Sequence, residues 1–114
     1  MSFDKLLKKL LHFRKERDWE QFHNPKNLAI SLSIEANELL EHFQWLNLDE
    51  SQEYSQKHKD EIAEEMADVL NYLLLMADNL NINLINSAIK KIEKSKKKYP
   101  VEKSKGSSKK YNKL

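Results

Sequence analysis

Three features of this chain predict an all-α fold. Gly occurs once and Pro twice in 114 residues, so turn signals are few and long helices joined by short links are favoured. Apolar residues recur at three- and four-residue spacing through four stretches. No apolar run approaches the roughly 20 residues of a membrane helix, and the length suits one core rather than two. The prediction is one domain over residues 1–114, built on four helices, with a tail from about residue 99 to 114.

The first helix runs from about Ser2 to Arg17. Phe3, Leu6, Leu7, Leu10, Leu11 and Phe13 form its stripe, with lysines and arginines between them. That stripe reads as core. The segment Arg17 to Pro25, RDWEQFHNP, breaks the pattern by placing two large aromatics and a histidine in a short connection. Loops held by a rigid scaffold often carry function, so Trp19 and Phe22 either plug the end of the bundle or line a site. Asn24 followed by Pro25 is a helix start: the Asn caps, and the missing Pro N–H is no loss in the first turn.

The second helix is predicted from Pro25 to Trp45, with Leu28, Leu32, Ala36, Leu39 and Phe43 inward. At about 100° per residue, Glu35 lies at the edge of this stripe and Glu38 roughly 60° further out, with Ser31 and His42 on the same shoulder. Trp45, two turns beyond Glu38, would be a stacking plate for a base. Asn47 to His58 reads as a polar connection with room for one short helix and little chemistry. The third long helix covers Lys59 to Leu80, with Ile62, Met66, Val69, Leu73, Met76 and Leu80 inward. Glu65 again sits at the stripe's edge and Asp68 about 60° out, with Tyr72 between them in projection. Asn81 or Asn83 opens the last helix, with Leu84, Ile85, Ala88, Ile89 and Ile92 apolar, running into Lys94 to Lys98 and ended by Pro100. The remainder has no periodicity and the composition of a disordered tail.

The chemistry lies in the carboxylates. Four of them, Glu35, Glu38, Glu65 and Asp68, on two facing helices would make a cage of oxygens suited to a hard cation such as Mg²⁺. The bare spacing is common here, since Glu38/Glu41, Glu50/Glu53 and Glu61/Glu64 also fit it. What distinguishes the two pairs is their matching place beside two apolar stripes. Charge is uneven as well: from Lys90 onward there are eleven lysines against Glu93 and Glu102, although the net charge is only +2. Those lysines either complement the helix dipole and continue as a solvated end, or grip a polyphosphate bridged to the protein by the cation. With no cysteine there is neither a disulfide nor a thiolate metal site, and the charged start MSFDKLLKKLLHF has no cleavage signal. A cytoplasmic protein is expected.

Taken together, these strings resemble the MazG-like, all-α nucleoside triphosphate pyrophosphatases, within them the dCTP pyrophosphatase type. The likeness rests on Glu35, Glu38, Glu65 and Asp68 as the Glu-x-x-Glu and Glu-x-x-Asp signature. It rests equally on RDWEQFHNPKNL at 17–28, FQW at 43–45, EEMADVLNYLLLMA at 64–77 and KKYPVEKSKGSSKKY at 97–111. It implies a hydrolase that cleaves between the α and β phosphates of a nucleoside triphosphate, most simply dCTP or a related pyrimidine nucleotide. Glu35, Glu38, Glu65 and Asp68 would hold Mg²⁺, while Trp19 to His23 (with Glu20, Gln21 and Phe22), Trp45 and Tyr72 would line the nucleotide site. Lys94, Lys97 and Lys98 would meet the departing pyrophosphate, Glu38 is the candidate base, and Glu41 a candidate partner to it. A base-side histidine of close relatives aligns with Leu10, a departure that leaves base preference open. The resemblance further implies a bundle completed by homo-oligomerisation, as a dimer or tetramer, with the tail ordered across a neighbouring subunit.

Two other classes compete. A di-iron carboxylate bundle needs Glu-x-x-His on its helices, and the one such spacing, Glu20/His23, lies in the loop without a repeat. A non-enzymatic helical oligomer binding nucleotides or nucleic acid through its Lys-rich tail would leave the paired carboxylates unexplained.

Overall fold

The computed structural model describes residues 2–114, and among these every regular element is helical. Helix α1 covers Phe3–Glu16, α2 Pro25–Glu41, α3 Leu48–Lys57, α4 Lys59–Asn79, α5 Leu84–Lys98 and the single turn α6 Val101–Ser104. Short 3₁₀ turns occupy Glu20–Phe22 and Tyr111–Lys113. The chain forms two compact units, residues 1–81 and 82–114.

In the first unit α2 and α4 pack along their lengths, and α1 and α3 add smaller contacts with α4. Leu28 is fully buried, and Leu74, Leu75 and Ala77 of α4 complete the tightly buried core. Of the expected inward stripe of α4, Ile62, Val69, Leu73 and Met76 are half-buried, whereas Met66 is 57% and Leu80 43% exposed. The reason is that α1 as well as α2 packs on α4, so its later turns are covered from two sides and Leu74, Leu75 and Ala77 are enclosed instead. Ile30, Ile34 and Leu40 of α2 are about half exposed, leaving apolar surface on this unit.

Each helix start has a local cause. Ser2 accepts from the Lys5 N–H, and Asn24 accepts from the Asn27 N–H at 2.9 Å with Pro25 in the first turn. Helix α2 stops at Glu41, four residues before the predicted end. Residues 42–45 make tight turns, because Asn47 must reach extended backbone to cap α3. That cap is reciprocal: Asn47 Oδ1 accepts from the Glu50 N–H at 2.8 Å, and Glu50 Oε1 accepts from the Asn47 N–H at 3.1 Å. The one short helix for which the polar connection left room is thus a full ten-residue helix, α3, which with the four expected makes five helices of ten residues or more among the described residues.

In the second unit Asn83 caps α5 by accepting from the Asn86 N–H at 3.1 Å. The predicted end before Pro100 holds, with lysines 96–98 in the last turn complementing the dipole. Beyond it the composition-based expectation of a disordered tail is corrected. Tyr99 and Tyr111 meet edge to face at 6.1 Å, and Lys98 Nζ lies 4.8 Å from the Tyr111 ring centroid. Gly106, at φ +78°, supplies the left-handed backbone that allows the reversal.

Candidate functional site

Glu35 and Glu38 of α2 and Glu65 of α4 each place a carboxylate oxygen within 4.8 Å of the others. Packing α2 against α4 brings them together, since the i, i+3 pair on one helix faces Glu65 on the other. Glu35 and Glu65 are half-buried, and Oε2 of each is shut off from solvent and hydrogen-bonded to nothing in the protein. Such orphaned anions are costly unless a cation meets them. Removal from water, then the adjoining Glu38 carboxyl and the charges of Asp68 and Glu65, push Glu35 up to about 7. Desolvation and Glu38 raise Glu65 in the same way, and His42 opposes that rise. A set of hard oxygens with excess negative charge and two unsatisfied atoms fits a divalent cation.

Asp68 is not part of that three-carboxylate cluster. It lines the neighbouring cavity of about 420 Å³, whose walls include Phe13, Trp19, His23, Tyr72 and Leu75. Its charge still bears on Glu35 and Glu65, so the cluster and the cavity adjoin. Trp19 is set edge to face against Phe13 at 5.5 Å, beside a left-handed turn at Asp18, φ +55°. Asn79 Nδ2 donates to the His23 carbonyl at 3.2 Å, pinning the connection to α4. Burial, then the nearby Arg14 cation, lower the pKa of His23 and keep its ring neutral near pH 7.

A second, smaller cavity of about 270 Å³ is lined by Glu38, Glu41, His42, Tyr54 and Glu65. His42 Nδ1 and the Tyr54 hydroxyl are hydrogen-bonded at 2.8 Å. Tyr54 stacks on His58 at 4.1 Å, and His58 in turn meets Glu61 at 2.7 Å.

Of the residues singled out in the sequence, Glu35, Glu38 and Glu65 converge, and Glu41 lines the same small cavity as two of them. Trp19, His23, Tyr72 and Asp68 share the larger cavity. Glu20, Gln21 and Phe22 form the 3₁₀ turn beside it, exposed and lining neither cavity. Trp45 is 86% exposed and lines neither; its predicted place two helical turns past Glu38 is lost because α2 ends first. Lys94, Lys97 and Lys98 lie on α5 in the second unit. Sequence reasoning missed Arg14 and Asn71 in the larger cavity and Tyr54 in the smaller. The Asn47-x-x-Glu50 capping box is the signal that would have fixed the short helix allowed there as one that carries Tyr54.

The sequence model of the MazG-like family matches residues 30–114. The chain is 41% identical over 104 residues to dCTP pyrophosphatase 1 of Rattus norvegicus and 38% identical over the same length to that of Homo sapiens. Each alignment covers 90% of this chain and 61% of the relative, so the chain spans about three-fifths of their length. It also superposes on the crystal structure of a pyrophosphatase from Archaeoglobus fulgidus with a TM-score of 0.83 and 49% identity, covering 85% of this chain and 91% of that one. A family match over residues 30–114, with relatives this similar along nearly the whole chain, places the protein in the MazG-like family.

Proposed function

We propose that the chain is a Mg²⁺-dependent nucleoside triphosphate pyrophosphohydrolase, acting on dCTP or a related pyrimidine deoxynucleotide. Residues 1–114 serve as one catalytic domain in a cytoplasmic homo-oligomer. The observation that carries this reading is the adjacency of the carboxylate cluster, with its two orphaned oxygens, to an aromatic cavity. A base and sugar suit the cavity; a triphosphate suits the cluster only through a cation. Likeness to dCTP pyrophosphatases narrows the choice of base.

Glu35, Glu38, Glu65 and, from the cavity side, Asp68 would hold Mg²⁺. When bound, the ion neutralises phosphate charge and acidifies water. Glu38 takes the proton of the attacking water, and Glu41, in the same small cavity, passes it on. Water adds to the α phosphorus, the bond to the bridging oxygen of the β phosphate breaks, and monophosphate and pyrophosphate result. Trp19, His23 and Tyr72 orient the nucleoside, with Glu20, Gln21 and Phe22 holding that loop. Exposed Trp45 and the lysines 94, 97 and 98 serve the base and the pyrophosphate within the assembled oligomer. The half-exposed Ile30, Ile34 and Leu40 supply apolar surface for that assembly.

Pyrophosphate release from the eight common NTPs and dNTPs, with Mg²⁺ or with EDTA, tests the reading. Turnover of dCTP well above the others, abolished by EDTA, is expected. Glu38→Gln should lower turnover by about 10²- to 10⁴-fold while the helical circular dichroism is unchanged. A folded wild-type protein that releases pyrophosphate from no nucleotide would refute the proposal.

A further inference from the structure

Arg14 lines the larger cavity in company with Phe13, Trp19 and Tyr72. Its side chain is only 13% exposed, and its Nε is closed to solvent with no hydrogen-bond partner. The ionic contact it makes, Nη2 to Asp78 Oδ2, is 3.8 Å long, beyond hydrogen-bonding distance. A guanidinium carries five donors and cannot lose its charge, so one largely removed from water with so little to donate to is short of acceptors. The protein around the cavity is mainly apolar and aromatic, and its histidine, His23, is held neutral. Lys9, the other cation on the cavity wall, is exposed and hydrated.

We propose that Arg14 selects the base: its guanidinium donates to a ring carbonyl oxygen of a nucleobase lodged among the aromatic walls. Cytosine, uracil, thymine and guanine offer that oxygen; adenine does not. The inference rests on the reading of this cavity as the nucleoside site. A phosphate contact for Arg14 is disfavoured by its surroundings, because the apolar walls suit a base and the phosphates belong at the carboxylate cluster. Asn71, which lines the cavity from α4, has an amide with both a donor and an acceptor to complete the recognition. A site built to hydrogen-bond one polar edge discriminates strongly against a ligand lacking it, because its own donors are then left unpaired.

The test is calorimetric titration of dCMP and dAMP in EDTA, which reads the cavity without the cation or the reaction. Wild type is expected to bind dCMP at least about ten-fold tighter than dAMP. Arg14→Met should erase that ratio by weakening dCMP alone, and Arg14→Lys, which keeps the charge but not the planar fork, should retain part of it. Asp78→Asn removes the partner and keeps the guanidinium, so it should leave the ratio within about three-fold even if the melting temperature moves. Equal weakening of both nucleotides in Arg14→Met, or none, overturns the inference, the first pointing to a phosphate or structural role. Should Arg14→Met fail to fold, an unchanged ratio in folded Arg14→Lys has the same force. Turnover of dCTP by wild type with an unchanged ratio in the variants sinks this inference alone; Arg14-dependent binding of dCMP without any turnover sinks the proposed activity alone.

Discussion

Glu35-x-x-Glu38 on α2 and Glu65-x-x-Asp68 on α4 share one spacing yet end in different places. On α2 both carboxylates join the cluster; on α4 only Glu65 does, and Asp68 lines the aromatic cavity. The i, i+3 spacing sets which face of a helix two side chains occupy, and nothing more. Reach then decides. Aspartate is one methylene shorter, so its carboxylate stays nearer its own backbone, where it lines the cavity together with α1 residues and Trp19. The result is a core of three carboxylates with a fourth lining the aromatic cavity beside it; under the proposed function that fourth would stand between cation and nucleoside, a division that two identical Glu pairs would not give.

That division is broken most sharply at Asp68. Asp68→Asn should cut turnover of the preferred nucleotide by about 10- to 100-fold, the range typical of residues that orient a metal centre. Divalent binding, followed with Mn²⁺ by electron paramagnetic resonance, should weaken less than in Glu38→Gln. Complete loss of Mn²⁺ binding in Asp68→Asn would put it on an equal footing with Glu38 and erase the distinction.

Glu35 offers a gentler handle, through stability and pH. Its pKa is raised to about 7 in the folded chain, whereas an unfolded Glu titrates near 4.3. A raised carboxyl pKa means that the folded state holds its proton more tightly. The stability it contributes is therefore complete below about pH 4 and is lost as pH rises through about 7. In EDTA at pH 8, Glu35→Gln should accordingly be more stable than wild type by about 1 kcal/mol, allowing for solvent screening and the coupling to Glu38. The melting temperature should rise by about 3–5 °C, and the gain should vanish near pH 5. Saturating Mg²⁺ should reverse the order, by stabilising wild type and not the variant. A gain that persisted unchanged at pH 5 would show that carboxylate repulsion is not its source.

Much of this was readable in the chain itself, for identifiable reasons. Asn24-Pro25 and Asn83 act as helix starts because caps are local, one side chain to a backbone N–H three residues on. Glu35, Glu38 and Glu65 converge because helix periodicity already sets them beside the packing stripes. Tertiary covering was not readable: the second neighbour of α4 rotates its buried face from Met66 and Leu80 to Leu74, Leu75 and Ala77. Helix α3 was legible only as room for one short helix, because it lacks an apolar stripe and is held at its start by a capping box. Arg14 escaped for the opposite reason, as one more cation among the many on a basic amphipathic helix until burial singles it out.

The two arms of the cluster differ in one further respect. Glu65 has His42 as a neighbour that opposes the rise in its pKa, and His42 is hydrogen-bonded to Tyr54 of α3, while no such neighbour acts on Glu35. Tyr54→Phe removes the hydroxyl and leaves the ring free to stack on His58 at 4.1 Å. One part-buried hydrogen bond of 2.8 Å is lost, a cost of about 0.5–1.5 kcal/mol or a melting temperature lower by a few degrees. Turnover should change by less than about three-fold if the pair only braces α3 beside Glu65, because the carboxylates themselves are untouched. A drop greater than about ten-fold at unchanged melting temperature would instead make the Tyr54 hydroxyl a partner in the reaction. The Glu65 side of the cluster, through α3, would then be the one on which the attacking water is held.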